Sequence, residues 1–166
     1  MKPVLFIMDM QKGYYEGYSK KSMDNACEYI NIALKLFRNS NLPIIWIKDD
    51  GKGGIINGTT EFEIIDNLKH NKNEIIICKK YRNSFNKTNL LEYIIENSID
   101  TIIITGYSAA YCVLSTYRAT EDYDLRPVLL KGALAEYSTG EIKFVENISE
   151  IITIKELEEC INNIMI

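Results

Sequence analysis

The stretch TIIITGYSAAYCVLSTYRATEDYD, residues 101–124, joins a short apolar run to a segment with helical spacing. The run at 101–105 is rich in isoleucine and contains no charged residue, which is typical of a strand buried on both faces of a parallel sheet. From Cys112 onward the pattern predicts a helix. Because a strand followed by a helix is the repeating unit of parallel α/β folds, the stretch predicts that fold class.

The same alternation of short apolar runs and helical segments extends along the chain. Other strands are predicted at 4–8, 43–48, 74–78 and 127–130, with a weaker candidate at 150–153, and other helices at 23–41, 87–98 and 154–165. This order predicts a three-layer α/β/α fold, doubly wound and Rossmann-like, around a mostly parallel sheet of about six strands. The glycine-rich segment 49–60 is predicted to be a flexible loop over the sheet edge.

Length and composition narrow the class of protein. The chain has 166 residues, 46% hydrophobic and 25% charged, which predicts a single globular domain over 1–166. Its net charge of −4 disfavours binding to nucleic acid. No apolar run approaches the roughly 20 residues that span a bilayer, so no membrane segment is expected. The N-terminal apolar run ends at Asp9 with no cleavage site after it, and we expect a cytoplasmic protein.

Four cysteines are spaced widely and irregularly, which predicts free thiols rather than a disulfide framework or a metal finger. Cys27 and Cys160 lie on predicted helices, and Cys78 lies in a predicted strand. For these three we expect burial as small hydrophobic side chains. Cys112 differs from them because it lies in a turn between a strand and a helix.

Reactive side chains follow three of the predicted strands. In open α/β sheets ligands bind outside the carboxyl ends of the strands, so we expect Asp9, Lys79 and Cys112 to converge there. A helix N-terminus and a nearby ammonium group should lower the pKa of Cys112 from about 8.5 toward 7 or below. Asp9 would transfer protons, and backbone N–H groups at 108–110 would stabilise a tetrahedral intermediate.

Three sequence motifs, in this order, resemble those of the isochorismatase-like cysteine hydrolases, the relatives of nicotinamidases and N-carbamoylsarcosine amidases. The family pattern is D-x-Q-x-x-F/Y, then a lysine six residues before a phenylalanine and nine before a threonine, then G-x5-C-V. The matching residues here are Asp9, Gln11 and Tyr14, then Lys79, Phe85 and Thr88, then Gly106, Cys112 and Val113.

The resemblance implies a hydrolase that cleaves a C–N bond in a small amide-like molecule through a thioester on Cys112. It implies that Asp9 transfers the proton and that Lys79 stabilises the thiolate, since Lys80 lacks the family spacing. It also implies a non-proline cis peptide bond between Tyr107 and Ser108, which together with Cys112 would form the oxyanion hole.

The resemblance and the residue types together predict further properties of the site. Relatives are commonly dimers or tetramers, so we expect a homo-oligomer. No cofactor is expected, and no metal, because the nicotinamidase branch uses an aspartate and two histidines after the second strand. The one histidine here, His70, lies outside that loop and is predicted to be an exposed helix end. Four residues would either line the substrate pocket or pack in the core: Gln11, Tyr14, Phe85 and Tyr111.

Some positions depart from the family pattern. Ala109 and Ala110 replace a polar and an acidic or amide residue before the cysteine, and Lys131 stands where many relatives end the fifth strand with aspartate. These departures leave two alternatives open: an inactive binding or scaffold protein, and an enol-ether hydrolase of the isochorismatase type.

Charged residues next to the motifs have simpler interpretations. Asp49 and Asp50, followed by glycines, are predicted to form a solvated turn. Lys80 and Arg82 are predicted to belong to a solvated basic patch.

Overall fold

A computed structural model describes residues 1–51, 54–138 and 140–164. Its six strands form one sheet in which every pairing is parallel, in the order β3-β2-β1-β4-β5-β6. The strands are β1 Pro3–Met8, β2 Ile44–Asp49, β3 Ile75–Lys79, β4 Thr101–Tyr107, β5 Arg126–Ala135 and β6 Ile151–Ile152. The predicted fold class is confirmed. Positions 52 and 53 of the predicted loop and position 165 of the predicted last helix lie outside the described residues.

Five α-helices cover the two faces of this sheet. They are α1 Gly17–Asn39, α2 Leu90–Glu96, α3 Leu114–Asp122, α4 Glu141–Asn147 and α5 Ile154–Ile164. Both faces of the sheet are covered because alternate apolar side chains of β1 point to opposite faces. Leu5 and Ile7 pack in a core cluster with α1 and α5, whereas Val4 and Phe6 pack in a second cluster with α2, α3 and α4. A strand buried on both faces is therefore apolar at every position.

Several predicted boundaries were wrong. Helix α4 was not predicted, and β5 runs to Ala135 rather than ending at 130. Lys131 consequently lies exposed inside β5 and not at the rim of the sheet. The predicted helix at 112–124 is preceded by a π-helical turn, Ala109–Val113, and becomes α-helical at Leu114.

The segment predicted as a flexible loop is partly ordered by packing. Asp49 is the last residue of β2, and Ile55 is buried against Gly13. A short 3₁₀ turn at Thr60–Phe62 follows. Within the described part of this segment, Asp49 and Ile55 are therefore held by contacts with the rest of the fold.

Strand β3 forms one edge of the sheet, and this changes the expected burial of its side chains. Ile76 is 42% exposed and Cys78 is also exposed. The prediction that Cys78 is buried was wrong, because an edge strand at this position is covered on only one face. The side chain of Lys79 points to the covered face and is buried.

A polar cluster connects β2 to its neighbours at the amino end of the sheet. Trp46 is buried, and its indole Nε1 donates to Glu74 Oε2 at 2.7 Å. Arg38 of α1 pairs with the same carboxylate, with 2.6 Å between Nε and Oε1. His70 packs edge-on against Trp46, with its Nε2 3.0 Å from the Glu74 carbonyl oxygen. His70 is therefore half-buried in a loop, and the predicted exposed helix end was wrong.

Gly106, the second-last residue of β4, is expected to tolerate no side chain. Its φ is +105°, and an added Cβ would meet the backbone of Met8 on β1, with the Met8 nitrogen at 2.7 Å. We expect Gly106→Ala to lower the free energy of unfolding by at least about 3 kcal/mol, from positive-φ strain together with the backbone clash. Urea denaturation followed by circular dichroism measures this change.

Gly58 provides the matched control for that substitution. Its φ is +93°, and an added Cβ would meet no atom within 4 Å. Gly58→Ala should therefore show the strain alone, about 1 to 3 kcal/mol. Equal losses in the two variants would mean that the contact between β4 and β1 at Gly106 has no energetic importance.

Candidate active site

The carboxyl ends of β1 and β3 and the turn after β4 bring three reactive side chains into contact. Lys79 Nζ lies 2.8 Å from Asp9 Oδ2 and 3.4 Å from Cys112 Sγ. All three residues are 9% exposed or less. The order β3-β2-β1-β4 explains the convergence, because parallel strands end at the same edge of the sheet.

The turn that carries Cys112 is held by its own backbone. The Tyr107–Ser108 peptide bond is cis, at the position that the resemblance implies. The Ser108 carbonyl oxygen accepts hydrogen bonds from the N–H groups of Tyr111 and Val113, both at 3.1 Å. These two bonds close the π-helical turn and direct the Cys112 thiol toward Lys79.

Burial controls the ionisation of this cluster. Burial, and next the neighbouring Asp9 carboxylate, raise the pKa of the Cys112 thiol to about 12. Burial also raises the pKa of Asp9, although Lys79 acts in the opposite direction. The prediction of a lowered thiol pKa was therefore wrong, since loss of water around the thiol outweighs the attraction of one ammonium group.

These shifts fit one proton held between Asp9 and Cys112. Burial alone would lower the pKa of Lys79, but Asp9 and Cys112 raise it, so Lys79 remains an ammonium ion. A second anion on the Asp9–Cys112 pair would have no further cation in contact with it, since Lys79 is the ammonium group that touches both residues. Moving the proton from the thiol to the carboxylate leaves the net charge of the cluster unchanged, so the thiolate can form without uptake or release of a proton.

This electrostatic arrangement predicts the pH dependence of activity. Reaction would require the pair to carry a single proton, and that state is lost when pH falls through the raised pKa of Asp9. We expect kcat/KM to fall about tenfold per pH unit on an acid limb that lies above the ordinary aspartate range near 3.9. Because the pKa of Cys112 is about 12, no alkaline limb should appear below pH 9.

Asp49 supplies a control for that pH profile. The charge of Asp49 contributes to the raised pKa of Asp9, so Asp49→Asn should move the acid limb to lower pH. A profile that stays flat down to pH 4 in the unmodified protein, or a limb that Asp49→Asn leaves in place, would contradict this assignment.

A cavity of about 360 Å³ opens above the three reactive residues. Aromatic and charged side chains form most of its wall, which consists of Asp9, Tyr14, Asp49, Arg82, Tyr107, Ser108, Tyr111, Cys112 and Tyr137.

Two of the four predicted pocket residues lie in this wall, Tyr14 and Tyr111. Phe85 is 5% exposed and packs against Tyr123, with ring centroids 5.1 Å apart, so it is a core residue. Gln11 is also absent from the wall among the described residues, because its amide is buried behind Asp49.

Arg82 and two tyrosines form the rim of the cavity. The Arg82 guanidinium lies 4.8 Å from the ring centroid of Tyr111, and the hydroxyl groups of Tyr111 and Tyr137 are 2.9 Å apart. The prediction that Arg82 belongs to a solvated patch was incomplete, because the side chain is exposed and also lines the cavity. Lys80, in contrast, is exposed as predicted.

Asp49 was predicted to be solvated, and the structure contradicts this. Its side chain lies in the cavity wall and the residue is only 1% exposed. The Tyr14 hydroxyl donates to Asp49 Oδ2 at 2.7 Å. Burial, and next this bond, raise the pKa of Tyr14, so that the phenol stays a donor. Asp49 belongs to the site because β2 extends one residue beyond its apolar run.

Glu136 is a site residue that the sequence did not indicate. It follows β5, is fully buried, and accepts hydrogen bonds from the Ser108 hydroxyl at 2.8 Å to each oxygen. The backbone N–H groups of Ala110 and Tyr137 donate to the same carboxylate at 2.9 and 2.8 Å. Glu136 therefore fixes the turn before the cysteine, and it was missed because β5 was predicted to end at 130, five residues before its observed end at Ala135.

The contact with Glu136 also reduces the number of backbone N–H groups that could form the predicted oxyanion hole. The N–H groups of Ala110, Tyr111 and Val113 already donate to other acceptors. Ser108, Ala109 and Cys112 are the residues of this turn whose backbone N–H groups are not among these donors. The broader prediction of 108–110 was wrong at Ala110.

Comparison with known proteins assigns the family. The family model described as "Isochorismatase domain" matches residues 3–152. The chain belongs to the isochorismatase family. YrdC, an isochorismatase-family protein of Bacillus subtilis, is 30% identical over 140 residues, which cover 82% of this chain and 75% of YrdC.

Solved structures agree with the fold of this isochorismatase-family chain. An isochorismatase-like hydrolase from Alkaliphilus metalliredigens superposes with a TM-score of 0.87 at 19% identity, covering 96% of this chain and 99% of that one. N-carbamoylsarcosine amidase from Thermoplasma acidophilum gives a TM-score of 0.82 at 21% identity, covering 94% and 98%. The isochorismatase family is hydrolytic, and some of its members are amidases.

The described part of this isochorismatase-family chain contains neither a cluster of metal-ligating side chains nor a helix that could span a membrane. Across 1–51, 54–138 and 140–164, no three or more histidine, cysteine, aspartate and glutamate side chains are grouped so as to hold a metal ion. Within the same ranges, no helix has the length and apolar character that crossing a membrane requires.

Proposed function

We propose that this chain hydrolyses a C–N bond in a small amide-like molecule through a thioester on Cys112. The observation that carries the proposal is the contact of Lys79 Nζ with both Asp9 and Cys112 at the base of a cavity. A nucleophile, a proton carrier and a fixed positive charge are the groups that acyl transfer requires.

In the first half of the proposed reaction, the thiol proton moves from Cys112 Sγ to the Asp9 carboxylate. The sulfur attacks the amide carbonyl carbon, an S–C bond forms, and the carbonyl oxygen becomes an oxyanion. Asp9 then gives its proton to the nitrogen, the C–N bond breaks, and an amine or ammonia leaves. Lys79 keeps its proton throughout and stabilises the sulfur while it is anionic.

In the second half, water attacks the thioester carbonyl. Asp9 takes one proton from the water, the C–S bond breaks, and that proton returns to the sulfur. The products are a carboxylic acid and the regenerated thiol. Asp9 can serve in both halves because it accepts one proton and then gives one proton in each half. It is therefore an anion again when each half ends.

The proposal includes an oxyanion hole formed by the N–H groups of Ala109 and Cys112. Removal of one such donor commonly costs about 10²-fold or more in kcat. The Glu136 carboxylate supports this geometry, because it accepts hydrogen bonds from the Ser108 hydroxyl and the Ala110 N–H. Ala109 and Ala110 are compatible with it, since both contribute backbone groups.

An ammonia-release screen over small primary amides and ureas tests the proposed function. We expect at least one compound to be hydrolysed by the unmodified protein and not by Cys112→Ala. Release of ammonia from no compound, or equal release by both proteins, would favour the inactive scaffold. Hydrolysis of an enol ether by both proteins would favour the isochorismatase reaction, which needs no thiol.

The remaining parts of the proposal concern the whole protein. We propose a single-domain cytoplasmic enzyme that uses no cofactor and acts as a homo-oligomer. Four free cysteines are in keeping with a reducing compartment. Light scattering coupled to size exclusion measures the oligomeric state, and a monomer at working concentration would contradict that part.

A further inference from the structure

The segment 80–89, which follows Lys79, forms neither a helix nor a strand, yet part of it is fully buried. Ser84 in this segment is 0% exposed. Lys79 is the last residue of β3, and β3 is an edge strand that pairs with β2. Sheet pairing therefore holds Lys79 from one side only, so the contacts of the segment 80–89 bear on where Lys79 lies.

The Thr116 hydroxyl connects this segment to α3. Thr116 lies in the first turn of α3, four residues after Cys112, and is fully buried. Its Oγ1 accepts a hydrogen bond from the Ser84 N–H at 3.1 Å, lies 2.9 Å from the Ser84 hydroxyl oxygen, and donates to the Arg82 carbonyl oxygen at 3.3 Å. One hydroxyl group thus joins the segment after Lys79 to the helix after Cys112.

Thr120, on the same helix, uses its hydroxyl differently. It is also fully buried, but its Oγ1 donates to the Thr116 carbonyl oxygen at 2.8 Å, the common bond of a helical threonine to the residue four before it. Within the described ranges, every hydrogen bond of the Thr116 hydroxyl reaches the segment 80–89 instead. The two threonines are therefore equally buried, and only Thr116 connects α3 to another part of the site.

The segment packs against α3 at a second place. The Phe85 ring lies against Tyr123, the residue that follows α3, with ring centroids 5.1 Å apart. Thr88 Oγ1 donates to the Ser84 carbonyl oxygen at 2.6 Å and closes the segment on itself. With contacts near both ends of α3, the segment depends for its position on this helix as well as on β3.

We propose that the Thr116 hydroxyl is a positioning group: by fixing the segment after Lys79 to α3, it keeps the Lys79 ammonium group against the Cys112 thiol and the Arg82 guanidinium at the rim of the cavity. The inference deepens the proposed function and rests on it for the catalytic role of Lys79. Without the hydroxyl, the Ser84 N–H is buried with no acceptor, which favours movement of the segment away from α3.

The positive charge beside Cys112 can be measured without any substrate. In alkylation by iodoacetate or iodoacetamide the thiolate displaces iodide, and the two reagents are similar in size, but only iodoacetate is an anion. The ratio of their rate constants therefore cancels the population of thiolate and depends on the charge near the sulfur. We expect Thr116→Val, which replaces the hydroxyl by a methyl group, to lower this ratio at Cys112 by at least about threefold.

Three measurements control for a general loss of stability. Thr120→Val removes an equally buried hydroxyl from the same helix and should leave the ratio at Cys112 unchanged. Thr116→Ser keeps the hydroxyl and should restore the ratio to that of the unmodified protein. Mass mapping also gives the ratio at the exposed Cys78, which should be the same in all variants. An unchanged ratio at Cys112 in Thr116→Val, or an equal fall in Thr120→Val, would overturn the inference.

Activity on the amide that the ammonia screen identifies provides the second measurement. We expect Thr116→Val to lower kcat at least about tenfold, because the ammonium group is displaced from the reacting sulfur. The acid limb of kcat/KM should also move to higher pH, since Lys79 lowers the pKa of Asp9 and would act on it less strongly. Thr120→Val should show neither change, and an acid limb that stays in place in Thr116→Val would contradict the proposal.

The inference and the proposed function can fail separately. Hydrolysis that survives in Cys112→Ala, or no hydrolysis by the unmodified protein, defeats the proposed function, and the alkylation ratio still decides whether Thr116 positions the charge. Hydrolysis that needs Cys112, with equal ratios in Thr116→Val and Thr120→Val, defeats the inference alone. Should Thr116→Val fail to fold, Ser84→Ala removes the hydroxyl contact from the other side and keeps the N–H bond. A lower ratio at Cys112 is then expected, and an unchanged one overturns the inference.

Discussion

Replacing Cys112 by alanine is expected to lower kcat by about 10⁴-fold or more on the primary amide that the screen identifies. The loss follows from removal of the only atom in the cavity that would form the covalent intermediate, since Asp9 and Lys79 act on that atom and not on the substrate carbon. Ammonia release under saturating substrate measures it. The fold should persist, because the thiol is one small side chain at the surface of the second core cluster.

Cys27 provides the matched control for this substitution. It is also buried, at 3% exposure, but it lies on α1 in the core cluster on the opposite face of the sheet. Cys27→Ala should cost about 1 kcal/mol of stability and leave kcat within about twofold. More than a tenth of the original activity in Cys112→Ala, or similar losses in both variants, would refute the role proposed for Cys112.

Replacing Lys79 by methionine is expected to reduce both stability and activity. Asp9 would be left in a buried site without its cation, so the free energy of unfolding should fall by about 3 kcal/mol near neutral pH. Asp9 would then hold its proton at neutral pH and could not accept one from the thiol, and we expect kcat to fall by about 10³-fold or more. Urea denaturation and ammonia release measure the two effects.

A double variant separates these two effects. In Asp9→Asn/Lys79→Met the buried pair is replaced by two neutral side chains, so most of the lost stability should return while activity stays absent. Lys80→Met is the control for the loss of a lysine, because Lys80 is adjacent and exposed. A stable and active Lys79→Met, or a Lys80→Met with the same losses, would contradict the assignment of the buried cation.

The fold was predictable because its central strands contain unbroken apolar runs. Ile102, Ile103 and Ile104 are all fully buried, and a run of this kind is compatible with few environments other than a sheet covered on both faces. The convergence of Asp9, Lys79 and Cys112 followed from the same pattern, since parallel strands end together. Motif spacing then identified Lys79 rather than Lys80 as the candidate catalytic lysine, which composition alone cannot do.

The rest of the site depends on where each strand stops, and apolar patterns define that poorly. Asp49 and Glu136 both lie past the end of the predicted run, so one was taken for a solvated turn and the other was overlooked. In β5 the exposed Lys131 and the following glycine interrupt the apolar pattern, although the strand continues to Ala135. Backbone pairing to β4, which sequence does not show, extends the strand.

The ionisation of Asp9, Lys79 and Cys112 could also not be predicted from the sequence. An adjacent ammonium group predicts a lowered thiol pKa, whereas the degree of burial decides the outcome, and burial depends on side chains from distant parts of the chain. Cys78 was predicted to be buried, but the strand order places β3 at an edge of the sheet and leaves the Cys78 thiol exposed. Reactivity toward alkylating reagents therefore depends on access at Cys78 and on proton transfer at Cys112.

Trp46 gives the protein a built-in optical reporter. It is the only tryptophan in the chain, and it lies three residues before Asp49 on β2, so its emission comes from one place in the molecule. The bond from its indole to Glu74, which also binds Arg38 of α1, makes that emission sensitive to the docking of α1 on the sheet. Fluorescence titrations and unfolding curves of every variant above can thus be read from a single chromophore without labelling the thiols.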